Sequence, residues 1–398
     1  MELKKIYLNP EKELALIKLR HPWLFTDAVQ TPTDAEDGEL CDIYLSNQKT
    51  FFARGYYNSK SKIVVRILTR VPHEHVDQKF FEKRFRELRT QREQFIDPEQ
   101  TNAYRLVFAE SDQLPGLIVD KYDDVFVIQI HTLGMDRLKD LVVEALRNVF
   151  QPKTIYERSD AQVRFLDGLT NNPSQLLFGE EPTGEIMVKE HGISFYVDIV
   201  HGQKTGLFLD QRENRKALQK YAEGKLVLNC FSYTGGFSVS AALAGASKVV
   251  SVDISKNAIA AAERNFILNK VPAGKHEGVV ADVFDYLDSC KPGSFDLIVL
   301  DPPAFVKNNK SIKKGMAGYL QINEAALRIL PENGILVSSS CSSYVTDEMF
   351  QKMLTIASHR TGCSLKVLEV RHQPFDHPFN LDFPEGKYLK FYVVQKTQ

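Results

Sequence analysis

Five short segments in the C-terminal half carry side chains that could hold an adenosine and act on a base. Asn229-Cys230-Phe231-Ser232-Tyr233-Thr234-Gly235-Gly236 is a glycine-containing turn, which lets a backbone approach a ligand closely. Asp253, followed by Ile254, comes eighteen residues after Gly235, and a carboxylate there can accept both hydroxyls of a ribose. In Ala281-Asp282-Val283-Phe284 a carboxylate can accept from an adenine amino group. Asp301-Pro302-Pro303-Ala304-Phe305 is the fourth segment, and Ser338-Ser339-Ser340-Cys341-Ser342 sets a thiol after three serines. Each has a plainer reading: a Gly-Gly turn joins many strands to helices, and an Asp that closes a strand is often a helix N-cap. Together, in this order and at these spacings, they are far more specific. The dinucleotide fingerprint G-x-G-x-x-G is missing and so is a Walker loop, which argues against nicotinamide and nucleotide-triphosphate chemistry. An adenosine cofactor without a pyrophosphate fits, namely S-adenosylmethionine. Asp210, Gln211 and Arg212 stand ahead of these segments, either to touch the methionine end of such a cofactor or to cap a helix.

Residues at strand ends need a sheet that ends them on one edge. From residue 226, β-branched runs alternate with helical spacing: Leu226-Val227-Leu228-Asn229, Lys248 to Asp253, Gly278 to Asp282, Phe295 to Asp301 and Gly334 to Ser338, with helices near 236–244, 255–268 and 318–330. Nearly continuous apolar strands of this kind belong to a parallel sheet, which binds ligands at its carboxyl edge. Leu365 to Arg371 and Lys387 to Gln395 read as a closing pair, and a hairpin over 185–199 precedes the alternation. Upstream, residues 1–72 read as short strands with turns, a small β-barrel. Residues 77–95, with Phe80, Phe81, Phe85, Leu88 and Phe95 at helical spacing, read as an amphipathic helix linking two domains. Strands near 104–108, 116–120 and 125–130, a helix over 135–149 and a strand near 154–157 make a small α+β domain. The expected fold is α/β: a barrel over 1–72, a linker helix and middle domain over 73–185, and a Rossmann-like sheet over 186–398.

On these residues, 186–398 resembles a class I methyltransferase. Asp301-Pro302-Pro303 is similar to the fourth motif of that superfamily, and Ser338 to Ser342 to the sixth motif of RNA cytosine-C5 methyltransferases. His201-Gly202-Gln203-Lys204-Thr205-Gly206, Leu209-Asp210-Gln211-Arg212 and Asn229 to Phe237 resemble the bacterial 23S rRNA cytosine-C5 methyltransferase family that carries an N-terminal PUA domain. Arg20 to Phe25, Arg54-Gly55-Tyr56-Tyr57-Asn58, Ala103 to Leu106, Leu114 to Leu117 and Tyr156 to Asp160 follow in that family's order, so the resemblance spans nearly the whole chain. It implies S-adenosylmethionine as cofactor, held by Gln211, Arg212, Asn229, Phe231, Ser232, Tyr233, Gly235, Asp253, Ile254, Asp282, Asp301 and Pro302. It implies 23S rRNA as partner, with a homodimer left open.

The same resemblance gives the cysteine a purpose. Cytosine C5 is a poor nucleophile until a thiolate adds to C6 and makes it enamine-like; a base then removes the C5 proton. Cys341, at a strand end beside the cofactor segments, is the candidate nucleophile, and Asp301 would meet the cytosine edge at N3. Cys230 is the next candidate, whereas Cys41, Cys290 and Cys363 read as structural. Many cytosine-C5 enzymes carry a second cysteine after the fourth-motif Asp-x-Pro; here Ala304 stands there, so the group that assists product release is unassigned. Two alternatives remain: methylation of guanine N7 or an exocyclic amine, since Asp-Pro-Pro also occurs in amino methyltransferases, and a non-catalytic RNA-binding factor.

Composition bounds the partners. The 398 residues are 43% hydrophobic and 25% charged, which excludes disordered and fibrous chains. A net charge of −1 gives no strongly basic field, so a nucleic-acid surface must be local. The expected local contacts are Arg20 and Arg54, set among Trp23, Tyr56 and Tyr57, together with Lys307 and Lys310 in a basic run that continues to Lys313 and Lys314. Five scattered cysteines with no C-x-x-C pair argue against a disulfide framework or zinc site, and no apolar run reaches membrane-span length. A cytoplasmic protein without metal is expected.

Overall fold

Apolar and β-branched residues at alternate positions make Leu40–Tyr44, Phe51–Tyr57 and Ile63–Thr69 strands, with Cys41, Ile43, Ala53, Val65 and Ile67 turned inward. In the computed structural model, which describes residues 3–31, 33–160, 163–182 and 184–398, the chain divides into two units. The first comprises Met1–Val188, Val197–Leu209 and Phe375–Gly386.

Its N-terminal sheet has the order Lys4–Tyr7, Leu40–Tyr44, Phe51–Tyr57, Ile63–Thr69, Trp23–Phe25. Only the Lys4–Tyr7 pairing is parallel. The sequence reading of strands alone omits one element, the helix Pro10–Leu19. Its start was legible, because Asn9-Pro10-Glu11 puts proline in the first turn and acids at the positive end of the helix dipole. None of its residues is buried, so no apolar stripe announced it.

The second sheet of this unit has the order Ser174–Gly179, Thr154–Arg158, Val125–Ile130, Leu117–Tyr122, Ala103–Phe108. Gln78–Glu93 and Lys139–Phe150 share its core. The expected linker helix is therefore a structural layer: Asp77 caps it by accepting from the Phe80 N–H at 3.0 Å, and Phe80, Phe81, Phe85 and Leu88 are buried. Phe95 lies beyond its end, exposed, against the Phe375 ring. Buried ions brace the sheet. Arg105 grips Asp120 through two bonds of 2.7 and 2.8 Å, and the same carboxylate accepts from the Thr205 hydroxyl at 2.7 Å. Thr205 also meets the Tyr122 hydroxyl at 2.9 Å.

The second unit comprises Lys189–Tyr196, Asp210–Pro374 and Lys387–Gln398. Its sheet runs His276–Val280, Lys248–Asp253, Leu226–Cys230, Leu297–Leu300, Ile335–Ser340, Lys390–Thr397, Ser364–Arg371. The first five strands are parallel and Lys390–Thr397 is antiparallel to both neighbours. Strand order reverses between Leu226–Cys230 and Leu297–Leu300, the place where an open α/β sheet leaves a crevice. The helix expected from 318 begins earlier, at Ile312, and so takes in Lys313 and Lys314.

Asn265 ties three pieces of this unit together. It is fully buried in the helix Lys256–Leu268, accepts from the Tyr196 N–H at 2.9 Å and donates to the Thr234 carbonyl at 2.9 Å. Asn265→Ala would strand a half-buried donor and a half-buried acceptor, at a cost of about 2–3 kcal/mol. The thermal unfolding midpoint of the variant should fall by roughly 4–10 °C; a midpoint within a degree of wild type would show that these bonds add nothing.

Candidate active site

The carboxyl edge of the parallel strands gathers the segments singled out in the sequence. Cys230 pairs with Val252 on one side and Leu300 on the other, and Leu300 pairs with Ser338. One step further, Asp253, Phe231, Asp301 and Ser339 fall on a single row.

After Cys230 the backbone turns sharply. Phe231 and Tyr233 have φ of +57° and +46°, and Gly235 has φ of +80°. Left-handed backbone is uncommon for residues with a side chain, and here hydrogen bonds hold it. The Tyr233 N–H donates to Asp253 Oδ2 at 2.9 Å and the Ser232 N–H to the Val252 carbonyl at 3.0 Å. The other oxygen of Asp253 accepts from the Ser255 N–H at 2.9 Å. A Cβ on Gly235 would stand 2.9 Å from the Ala262 side chain, so the glycine is required by helix packing as well as by its dihedral. Asn229 is buried and donates to Ser238 at 2.8 Å, and Ser238 meets Ser251 at 2.7 Å. Asn229 Oδ1 and Ser232 Oγ are buried without a hydrogen-bond partner among the described residues.

The remaining sequence candidates separate. Asp253 is half-buried, Ile254 is exposed and Pro302 is buried. Asp282 is exposed and caps the helix Val283–Ser289 by accepting from the Phe284 N–H at 2.8 Å, so its cap role is realised. Gln211 stands at the N-cap of Arg212–Leu218 but its side chain makes no cap bond: its Nε2 donates to Asp301 at 2.8 Å, beside the Ser339 hydroxyl, which donates to the same oxygen. Gln211 is itself oriented, accepting from Asn214 at 2.7 Å, and Asn214 accepts from Arg371 at 3.0 Å. Arg212 is fully buried and its Nε donates to Glu213 at 3.1 Å. Asp210 accepts from the Tyr388 hydroxyl at 2.7 Å.

Cys341 follows the strand Ile335–Ser340 and is half-buried. Cys41, Cys230 and Cys363 are buried, and burial pushes the thiols of Cys41 and Cys230 up. Cys230 packs in the sheet core, which removes it as a nucleophile. Two groups beside Cys341 escaped the sequence reading. The Tyr319 hydroxyl accepts from Ser340 at 2.9 Å and meets Ser342 at 3.0 Å, pinning the residues on either side of the thiol. Lys390, opposite Ser340 in the antiparallel ladder, donates to the Ser342 carbonyl at 2.6 Å. A tyrosine on an amphipathic helix and a lysine at a strand start carry no local signal of this.

Of the basic residues, Arg20 is exposed at the C-cap of Pro10–Leu19, and Lys307 and Lys310 are exposed in the loop after Asp301. Arg54 is different. Its guanidinium is buried and clasps Asp42 at 2.7 and 3.1 Å, so it is committed to the barrel and not offered to a phosphate. Among the described residues no helix is long and apolar enough to cross a membrane, and no group of three or more His, Cys, Asp or Glu could hold a metal ion.

The edge suits a methionine-bearing adenosine. Asp253 is a carboxylate at the strand end, and the buried Ser232 hydroxyl in the neighbouring turn has no partner in the described chain. No stretch of this edge carries the glycine triad that a pyrophosphate needs. The comparisons agree. A family model described as S-adenosylmethionine-dependent methyltransferase matches residues 162–386, and one described as PUA-like domain matches residues 6–70. The chain belongs to the S-adenosylmethionine-dependent methyltransferases, with a PUA-like domain at its N-terminal end. It is similar to proteins named ribosomal RNA large subunit methyltransferase I: that of Escherichia coli (strain SMS-3-5 / SECEC) is 40% identical over 98% of this chain and 99% of the relative. That of Aeromonas hydrophila is 40% identical over 98% of each. A solved methyltransferase complexed with SAH superposes with a TM-score of 0.83 at 27% identity, covering 99% of this chain and all of that one.

Charge-assisted bonds from ribose hydroxyls to Asp253 set the first test of this site. Asp253→Ala should weaken S-adenosylmethionine binding by about 1.5–3 kcal/mol, roughly ten- to a hundredfold, read by calorimetry on the folded variant. Unchanged affinity would reduce Asp253 to a brace for the Tyr233 turn.

Proposed function

We propose that this protein transfers a methyl group from S-adenosylmethionine to C5 of a cytosine in 23S rRNA, with Cys341 as the nucleophile at C6. The observation that carries the reading is the placement of Cys341: a half-buried thiol two residues beyond the row of Asp253 and Asp301, directly after the strand Ile335–Ser340 that neighbours the strand leading into Asp301. Methylation of an amine or of N7 needs no thiol there. Relatives at 40% identity that are named for large-subunit ribosomal RNA support the substrate class, and the PUA-like barrel supports an RNA partner.

The cofactor supplies an electrophilic methyl on a sulfonium. The chain's own groups do the rest. The Cys341 thiolate adds to C6, the C5–C6 double bond gives way and C5 gains the electron density to form its bond to the methyl carbon. Asp301, aimed by Ser339 and Gln211, meets the cytosine edge at N3 and fixes the ring above the thiol. Transfer of the C5 proton to a base then returns its electron pair to the C5–C6 bond, and the sulfur leaves C6 as the thiolate. Arg20, Lys307 and Lys310, all exposed, are the proposed phosphate contacts, and the reaction is assigned to the cytoplasm.

A fluorine at C5 stops the sequence before the sulfur can leave, because fluorine cannot depart as a cation. Wild-type protein given S-adenosylmethionine and RNA with 5-fluorocytidine at the target should form a slow band on a denaturing gel. Cys341→Ala should bind cofactor and RNA, form no band and lose methyl transfer by several orders of magnitude. Full transfer by Cys341→Ala would exclude the C5 route and favour an amine or N7 target.

A further inference from the structure

Lys390 is the least expected charge in the second unit. Its side chain is nearly fully buried, at 3% exposure for the residue. Lysine is almost never buried to this degree without a counter-charge, because an ammonium loses most of its hydration. Among the described residues its hydrogen bonds are both to carbonyls, Ser342 and Tyr388, each at 2.6 Å, and a carbonyl dipole only partly replaces water. Lys390 therefore brackets the thiol: it faces Ser340 across the ladder and grips the carbonyl of Ser342, the residues before and after Cys341.

Burial pushes the Lys390 ammonium down to about 8, while the negative charges of Cys341 and Asp347 act to raise it and that of Lys387 to lower it. Asp347 is already paired with Lys387. Attraction is reciprocal, so a cation favoured by the Cys341 thiolate favours that thiolate in return. Tyr319 also lies near the thiol, and burial pushes its hydroxyl up, so it stays neutral.

We propose that Lys390 is the counter-charge that holds Cys341 as a thiolate, a positioning residue that acts through the nucleophile. The proposal rests on Cys341 being the attacking group. The thiolate and not the thiol adds to a pyrimidine, so a buried cation bonded to the residue after Cys341 raises the reactive fraction at neutral pH without touching the RNA. As the sulfur bonds to C6 its charge passes to the ring, and the ammonium stays behind to receive it again when the sulfur leaves.

The test uses the full-length protein and needs no RNA. Iodoacetamide alkylation is followed at each cysteine by mass spectrometry from pH 5 to 10. In wild type, Cys341 should reach its plateau at lower pH than Cys290, the other half-buried thiol, which burial pushes up. Lys390→Met, which keeps the length of the side chain, should slow alkylation of Cys341 at pH 7 about tenfold or more, the effect of a one-unit upward shift. The pH profile of kcat should move in the same direction, with calorimetric affinity for S-adenosylmethionine unchanged. Lys390→Arg should restore most of the reactivity. A Cys341 profile that is the same in wild type and a folded Lys390→Met overturns the proposal. So does a wild-type Cys341 that plateaus with or after Cys290, a result that stands even if Lys390→Met fails to fold. Failure of the C5 reading is distinguishable, because it shows as methyl transfer by Cys341→Ala whatever the alkylation profile.

Discussion

Register between parallel strands is the constraint on which the site depends. Hydrogen bonding in the ladder fixes which residues stand level, and a slip of one residue would turn every side chain to the other face. With Cys230 level with Val252 and with Leu300, and Leu300 level with Ser338, the strands deliver two carboxylates to one line and Cys341 just beyond it. The antiparallel strand Lys390–Thr397 then places Lys390 against Ser340. No loop has to find these residues; the sheet sets them down.

Hydrogen-bonded side chains beneath that edge convert placement into orientation. Gln211 and Ser339 aim Asp301, Asn214 and Arg371 aim Gln211, and Tyr319 fixes both neighbours of Cys341. Gln211, Asn214, Ser339 and Tyr319 are buried, where an unpaired polar atom is costly, so each arrangement excludes its alternatives. The Tyr233 turn is held in its left-handed backbone in the same way, by bonds from its N–H groups to the next strand.

The parallel core and the residues at its strand ends were legible in the sequence because both follow from short-range pattern: β-branched runs, and Asp or Gly where they stop. The bonds that these residues make within the chain were not: the cap bond of Asp282, the bonds of Arg212 to Glu213 and of Asn229 to Ser238, and the clasp of Arg54 on Asp42 depend on partners that only the fold brings close. Tyr319 and Lys390 were invisible for the same reason: twenty-two and forty-nine residues separate them from Cys341. The helix Pro10–Leu19 was missed because it buries nothing, leaving no period to detect. Gln78–Glu93 is the amphipathic helix that its spacing announced, and its phenylalanines belong to the core of a layer.

The assignment of Val197–Leu209 and Phe375–Gly386 to the first unit means that the chain passes between the two units five times. Neither unit is a continuous stretch of the gene. A single recombination breakpoint anywhere between residues 189 and 386 would leave each side with fragments of both, and a stop codon ahead of residue 375 would remove pieces of both at once. The residues matched as PUA-like, 6–70, precede all of these crossings and can be exchanged as one block; the remainder of the first unit cannot be cut away without dividing the second, and so is inherited with it.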